Sequence, residues 1–253
     1  NVYNKILQHG DGIISVGLTC DSSAEAHKTT TGNGATSYQE PTTETDENGS
    51  VVISGIRAPG GDVRHLFIEK NSYNGAFLPG YQPWDPGFRA APCGWKHIDH
   101  MVFNVDWNDM DRWAEWYKKV FGMDQLISFD DKDISTDYTA LQSKVVTIDT
   151  GIIKYPINEP AHGKKKSQIE EYLDFNHGPG VQHMAIATDD CIATVAEMRK
   201  RGVEFLRVPD AYYDSLKDRV GEIEEDPAVL KELGILVDRD DKGCRKIDSN
   251  HFT

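Results

Sequence analysis

Two histidines occupy matched positions in the sequence and could hold a metal ion together. His100 lies in HIDHMVFNVD, and His183 lies in GPGVQHMAIATDD. Each precedes a methionine and a strand-like run, and each lies six residues before an aspartate, Asp106 or Asp189. Imidazole binds Zn, Cu, Fe and Ni, and two histidines with one carboxylate form the facial triad of non-haem Fe(II) oxygenases. The pattern therefore predicts a metal site, although spacing alone does not choose iron over zinc.

A third copy of the pattern shows that these segments belong to a repeat. DGIISVGLTCD ends at Asp21 and carries Ser15 where the other copies have histidine. Asp21, Asp106 and Asp189 are 85 and 83 residues apart, and a steady period of this size indicates a repeated structural unit. A single histidine in an apolar strand is more often a hydrogen-bonded core residue than a ligand. Two at matched positions favour the metal site.

Each copy predicts a strand followed by a helix. In the first unit, a hairpin turn at Asp46-Glu47-Asn48-Gly49 joins a strand before it to a strand after it, and a further strand follows. This gives the order strand, helix, strand, strand, strand. In the second unit, apolar residues at helical spacing run from Met110 to Phe121, and Gly122 is expected to end that helix. In the third unit, regular alternation places Gln182 and His183 on opposite faces of the strand. A further strand is predicted over 203–209.

Composition limits the function classes. The chain has 253 residues, 38% hydrophobic and 27% charged, as in an ordinary globular protein. A formal net charge of −14 argues against a nucleic-acid partner. No apolar run is long enough to cross a membrane, and no signal peptide is recognisable. The four cysteines show no CxxC pairing, which favours free thiols in a reducing, cytoplasmic compartment.

Four segments carry a resemblance to a known family, the 4-hydroxyphenylpyruvate dioxygenases. They are GAFLPGY (75–81), IDHMVFNV (98–105), PINEPAHGKKKSQIEEYLDFNHGPGVQHMAIATDD (156–190) and VPDAYYDSL (208–216). The third segment is long and specific, and the resemblance extends from about residue 8 to about residue 243.

The resemblance implies an α+β protein of the vicinal oxygen chelate fold, also called the glyoxalase/bleomycin resistance/dihydroxybiphenyl dioxygenase fold, built from repeated βαβββ modules. It implies that residues 1–76 form the C-terminal module of a metal-free N-terminal domain. Residues 77–95, rich in proline, are expected to be a linker. Residues 96–253 are expected to form the catalytic iron-binding domain without its last strands.

The resemblance also implies an Fe(II) dioxygenase of tyrosine and phenylalanine catabolism. It would convert 4-hydroxyphenylpyruvate and O₂ to homogentisate and CO₂, as a homo-oligomer. By motif match, His100 and His183 are implied as iron ligands, and no catalytic residue is implied beyond the iron site. The implied substrate-binding residues are Ser143 in LQSKVV, Asn158 in PINEP, Gln168 in KKKSQ and Gln182 in GVQH.

The third ligand of the family is a glutamate on a late strand, which we expect beyond Thr253. After Gly243 the sequence reads CRKIDSNHFT, which departs from the strand that the family has there. Two alternatives stay open. One is a hydroxymandelate synthase, which uses the same substrate and iron site. The other is a catalytically inactive truncated form of the same fold, and iron content and product identity would distinguish all three.

Overall fold

A computed structural model of the chain describes residues 2–60, 62–129, 140–148, 151–239 and 245–248. Contacts divide the chain into two compact units, 1–88 with 99–185 and 89–98 with 186–253. The first helix, α1 (Val2–His9), precedes the repeated part of the chain.

The first repeat has the expected order of elements. It consists of β1 (Ser15–Thr19), α2 (Ser23–Gly32), β2 (Ser37–Asp46), β3 (Gly49–Arg57) and β4 (Arg64–Glu69). The strands form one sheet in the order β1-β4-β3-β2, with β1 parallel to β4. The predicted hairpin is present, because β2 and β3 are antiparallel and their last register pair joins Asp46 to Gly49. Since β1 and β4 are parallel, the elements between them form a crossover that places α2 on one face.

The second repeat has the same topology. It consists of β5 (Trp95–Asn104), α3 (Met110–Phe121), β6 (Asp124–Phe129), β7 (Ala140–Thr147) and β8 (Lys154–Ala161). The sheet order is β6-β7-β8-β5, and β5 is parallel to β8. Gly122 ends α3 in the left-handed conformation with φ 69°, as the sequence predicts. The same strand order in both sheets confirms the βαβββ repeat and the predicted fold class.

A glutamate at the end of each module fixes the start of the module helix. Glu69 Oε2 accepts a hydrogen bond from the backbone N–H of Ser23, at 3.0 Å. Glu159 Oε2 accepts one from the backbone N–H of Met110, also at 3.0 Å. Ser23 and Met110 are the first residues of α2 and α3, where backbone N–H groups lack intrahelical partners and the helix dipole favours an anion. Each helix is therefore anchored to the last strand of its own module.

The third repeat begins in the same way and then departs from the pattern. Its elements are α4 (Gln168–Asn176), β9 (Gly180–Thr188) and α5 (Cys191–Lys200), and β9 lies next to β5 in the second sheet. They are followed by α6 (Asp210–Asp214), α7 (Leu216–Val220), α8 (Pro227–Leu233), β10 (Leu236–Arg239) and β11 (Arg245–Asp248). Asp190 and Asp226 cap α5 and α8. None of the helices that the structure describes combines the length and apolar character needed to cross a membrane.

The strand predicted over 203–209 is wrong. This segment is irregular and leads into α6. Val203 and Leu206 are 41% and 51% exposed, whereas Phe205 and Val208 pack against the apolar cluster around Leu230. The two residues that face the cluster, Phe205 and Val208, are three positions apart, whereas residues on one face of a strand are two apart. The segment therefore lacks the alternation of a strand, and Val203 and Leu206 are exposed to solvent.

A buried histidine lies in the core of the compact unit formed by residues 1–88 and 99–185. His65, on β4, is fully buried, and its Nε2 lies 2.9 Å from Tyr117 Oη on α3. The rings of Phe103, Phe121 and Tyr155 surround it. Burial lowers the pKa of His65 to about 3, so the folded protein keeps this ring neutral.

The depressed pKa of His65 predicts a loss of stability in acid. Between about pH 6.5 and 3, the unfolded chain binds a proton at this residue that the folded chain excludes. The free energy of unfolding should therefore fall with decreasing pH, by up to about 1.4 kcal/mol per pH unit. His65→Gln does not titrate and keeps a polar partner for Tyr117, so its urea-unfolding free energy should depend less on pH between 6.5 and 4.5. Parallel profiles for the two proteins would contradict this assignment.

Candidate functional site

The structure brings the two sequence-matched histidines together. His100 is on β5 and His183 is on the neighbouring strand β9. Their ring centres are 6.0 Å apart, and the ring planes are inclined at 70°. Two imidazoles that bind one ion through metal–nitrogen bonds of about 2.1 Å have ring centres at most roughly 6.5 Å apart when they lie on opposite sides of the ion, and roughly 4.6 Å apart when the angle between them is 90°. The observed separation lies between these limits, so one ion can contact both rings at a wide ligand angle, and the 90° angle of a facial triad requires the rings to move closer.

Both imidazoles contact an oxygen atom of the preceding residue. His100 Nδ1 lies 2.8 Å from Asp99 Oδ2, and His183 Nδ1 lies 2.7 Å from Gln182 Oε1. Carboxylate and amide oxygens accept hydrogen bonds, so each ring is expected to donate from Nδ1. A neutral imidazole that donates from Nδ1 has its lone pair on Nε2, the atom that can bind a metal. The donor set fits a metal such as Fe(II).

Within the described ranges, no group of three or more His, Cys, Asp and Glu residues could hold a metal ion. Within this part of the chain, the two imidazoles are therefore a pair of candidate ligands and do not belong to a group of three. Asp99 lies beside His100, but its Oδ2 faces Nδ1 of the ring. We therefore assign Asp99 to the orientation of His100.

Asp99 also links two strands of the sheet. Its Oδ1 accepts a hydrogen bond from Lys154 Nζ at 2.6 Å, and Lys154 is the first residue of β8. Burial raises the pKa of the Asp99 carboxyl, but hydrogen bonds from His100 and Lys154 outweigh this effect, and the net pKa is below its usual value. The carboxylate therefore stays charged near neutral pH. It orients the His100 imidazole on β5 and at the same time binds Lys154 on β8.

A row of polar side chains crosses the same sheet. Ser143 on β7 is the register partner of Asn158 on β8, and Asn158 is the register partner of Asn104 on β5. Register partners share a face of the sheet, and strand alternation puts Asn104, four residues after His100, on the face of His100. The opposite face contributes to the hydrophobic core through Phe103, Val146 and Ile157. The predicted residues Ser143 and Asn158 thus lie on the histidine-bearing face.

Asn104 was not predicted from the sequence. The signal that could have found it is its even spacing from His100 within one strand, which also applies to the apolar Val102. Only the register with Asn158 singles it out.

The two predicted glutamines have different surroundings. Gln182 contacts the ring of its neighbour His183, although regular alternation predicts opposite faces. Its assignment to the site region is thus compatible with the structure. Gln168 is the first residue of α4 and is exposed. Among the contacts that the structure describes, none joins Gln168 to the histidines or the polar row, and its substrate-binding role stays a prediction.

Helix α4 fixes the start of β9. Ser167 and Glu170 form a reciprocal capping box at its first turn. Tyr172 Oη donates to the backbone oxygen of Val181 at 3.1 Å, and burial raises the Tyr172 pKa to about 12, so the hydroxyl stays protonated. Gly180, the first residue of β9, leaves room for this contact, because a Cβ there would meet Tyr172 Oη and lie 2.8 Å from Asn176 Nδ2, so these side chains would have to shift. The helix therefore holds the strand that carries His183.

Sequence comparisons place these features in a known family. Residues 97–229 match the Glyoxalase/Bleomycin resistance protein/Dioxygenase superfamily. The chain is 42% identical over 251 residues to 4-hydroxyphenylpyruvate dioxygenase of Aspergillus fumigatus, covering 96% of this chain and 62% of the relative. It is 41% identical over 246 residues to the enzyme of Dictyostelium discoideum, covering 94% and 67%. The enzyme of Danio rerio is 42% identical over 247 residues, which cover 94% of this chain and 62% of that enzyme. The chain thus spans about two thirds or less of the length of these relatives.

Solved structures agree on the fold. A triple mutant of 4-hydroxymandelate synthase from Streptomyces coelicolor superposes with a TM-score of 0.79 at 28% identity, over 95% of this chain and 66% of that one. A fusion of a xylose isomerase-like TIM barrel with 4-hydroxyphenylpyruvate dioxygenase gives a TM-score of 0.70 at 22% identity, over 96% and 36%. At that identity the second match supports the fold alone.

The contact between Asp99 and His100 predicts an effect on metal affinity. Asp99→Asn removes the charge that orients the imidazole, and loss of such an outer contact typically weakens metal binding about 10- to 100-fold. Titration of the full-length protein with Fe²⁺, or with Co²⁺ as a spectroscopic substitute, would measure this change.

Asp111→Asn is the matched control. Asp111 is an exposed residue of α3 that pairs with Lys144 of β7, so this change also removes one negative charge from an ion pair. The control should keep the affinity of the unaltered protein. Equal affinities for both variants would show that Asp99 does not orient the ligand.

Proposed function

The chain belongs to the glyoxalase/bleomycin resistance protein/dioxygenase superfamily and, within it, to the 4-hydroxyphenylpyruvate dioxygenase family; from this premise we propose that the protein is an Fe(II)-dependent dioxygenase. Its reaction would convert 4-hydroxyphenylpyruvate and O₂ to homogentisate and CO₂. The observation that supports the proposal most directly is the 6.0 Å separation of the His100 and His183 rings on one sheet.

His100 and His183 would hold the iron through Nε2. Bound Fe(II) would supply the redox chemistry and a point of attachment for the 2-oxo acid. Since the described residues bring no carboxylate to complete a triad, the third ligand in this proposal comes from outside them. The preference for iron over zinc rests on family membership.

Neutral side chains would orient the substrate. Ser143 and Asn158 share a face of the sheet, and Gln182 lies beside a proposed ligand. Hydroxyl and amide groups can fix an aromatic 2-oxo acid by hydrogen bonds without attracting its carboxylate away from the metal. The nearby cation, Lys154, is bound to Asp99, so its charge is balanced within the protein. We include Gln168 as a further substrate residue, on motif match alone.

The proposal also covers the organisation and setting of the protein. We propose a metal-free module in residues 1–76, a linker in 77–95 and the catalytic domain in 96–253. We further propose a cytoplasmic homo-oligomer in tyrosine catabolism, without nucleic-acid or membrane partners.

Hydroxymandelate synthase is the second candidate, and the TM-score of 0.79 with such an enzyme favours keeping it. Homogentisate and 4-hydroxymandelate are isomers, and CO₂ is released in both reactions. Chromatographic identification of the product is therefore needed. The 41–42% identity with 4-hydroxyphenylpyruvate dioxygenases, against 28% with the synthase, favours homogentisate.

Replacement of one proposed ligand tests the function. In the full-length protein loaded with Fe²⁺, His183→Ala should reduce iron content strongly and lower homogentisate formation by at least about 100-fold, because one imidazole cannot replace two. His162→Ala is the control, since His162 is exposed and stacks on Trp107.

Three results would count against the proposal. Retained iron and full activity in His183→Ala would refute the site. Exclusive formation of 4-hydroxymandelate would replace the proposed reaction with that of the synthase. No CO₂ release by the iron-loaded, unaltered protein would indicate an inactive member of the family.

A further inference from the structure

Asn104 is a buried amide whose polar atoms lack partners. It ends β5 and is fully buried. Neither Oδ1 nor Nδ2 makes a hydrogen bond with any residue that the structure describes. Buried amides are almost always hydrogen-bonded, because an unsatisfied polar group destabilises the folded state. We therefore look for a functional role that explains why an amide is present at this buried position.

Its position connects Asn104 to the proposed substrate-binding residues. Asn104 and Asn158 are register partners in the parallel β5–β8 pair, so their backbones are about 4.8 Å apart and their side chains share one face. An amide at this distance can reach the neighbouring amide by rotation about its side-chain torsions. Asn158 is half-buried, whereas Asn104, beside it on the neighbouring strand, is fully buried.

An amide is also an ambiguous hydrogen-bonding group. Its oxygen accepts and its nitrogen donates, and the two ends are nearly equal in size. A carboxylate or keto oxygen of 4-hydroxyphenylpyruvate only accepts hydrogen bonds, so it needs the donor end of Asn158. Ser143 on one side and Asn104 on the other can each donate or accept, so either of them can complete the hydrogen bonding of Asn158 once its Nδ2 faces the substrate.

We propose that Asn104 is a positioning residue that acts through Asn158: its amide supplies the donor that the Asn158 oxygen needs when Asn158 Nδ2 faces the substrate. The inference deepens the proposed function and rests on it. When the substrate accepts from Asn158 Nδ2, the Asn158 oxygen turns toward Asn104 and accepts from its Nδ2. Asn104 is buried and makes no contact with the substrate itself.

A leucine of similar shape separates this role from a structural one. Replacing an unsatisfied buried amide by an apolar group is close to neutral or stabilising, so Asn104→Leu should unfold at the same temperature as the unaltered protein or higher. The dissociation constant for 4-hydroxyphenylpyruvate, measured without O₂ on the full-length, iron-loaded protein, should rise about 3- to 10-fold, as for one lost hydrogen bond. Iron affinity should not change.

Ser54→Ala is the matched control in the first repeat. Ser54 is also fully buried, but its hydroxyl has partners in Ser23, with Oγ at 2.8 Å and the backbone oxygen at 3.0 Å. Its loss should lower the unfolding temperature and leave the dissociation constant for the substrate unchanged. The two buried polar residues should therefore respond in opposite ways.

A double-mutant cycle tests the route through Asn158. In an Asn158→Ala background, Asn104→Leu should have no further effect on substrate affinity, because the residue on which it acts is missing. Additive losses would overturn the proposal, as would an unchanged dissociation constant in the single variant. If Asn104→Leu does not fold, Asn104→Ala provides the same measurement without added bulk.

The outcome separates this inference from the proposed function. If the unaltered, iron-loaded protein does not bind 4-hydroxyphenylpyruvate, the proposed function fails and the inference fails with it. If it binds the substrate and both Asn104 variants bind it equally well, the inference alone fails.

Discussion

The parallel pairing of β5 with β8 is the constraint on which the site depends. It joins the strand of His100 to the strand of Asn158, and the crossover through α3 is what allows two strands of one module to run in the same direction. The register also decides which residues share a face. A slip of one residue would send Asn158 to the helix side and bring the apolar Ile157 to the face of His100.

The first repeat shows that this scaffold does not itself create the chemistry. Its parallel pair, β1 with β4, has the same place in the sheet, and Glu69 anchors α2 as Glu159 anchors α3. At the position that Asn104 and Asn158 occupy in the second repeat, however, Thr19 pairs with Ile68. Ser15 replaces the histidine four residues earlier. The fold is shared, and the proposed metal ligand and the row of amides are found in the second copy and not in the first.

The sequence predicts the features that local patterns encode. The spacing of the matched aspartates indicates the repeat, and Gly122 ends α3 because a left-handed residue is needed there. Features that depend on strand register or tertiary packing are missed. The apolar run over 203–209 has the composition of a strand, yet it packs on α8 at a different spacing. The contact of Gln182 with His183 and the burial of Asn104 likewise depend on neighbouring strands and have no local signal.

The strands β5, β7 and β8 carry a pair of opposite charges, Asp99 and Lys154, and a row of neutral polar side chains. The Asp99 carboxylate contacts Lys154 Nζ and His100 Nδ1, so these two charged groups beside the proposed metal ligand, Asp99 and Lys154, are paired with each other. The remaining polar groups, Ser143, Asn158 and Asn104, are neutral. Neutral groups are less costly to bury than charges, but they orient a ligand only when their own rotamers are fixed. A site built in this way would therefore depend on buried residues next to those proposed to bind the substrate.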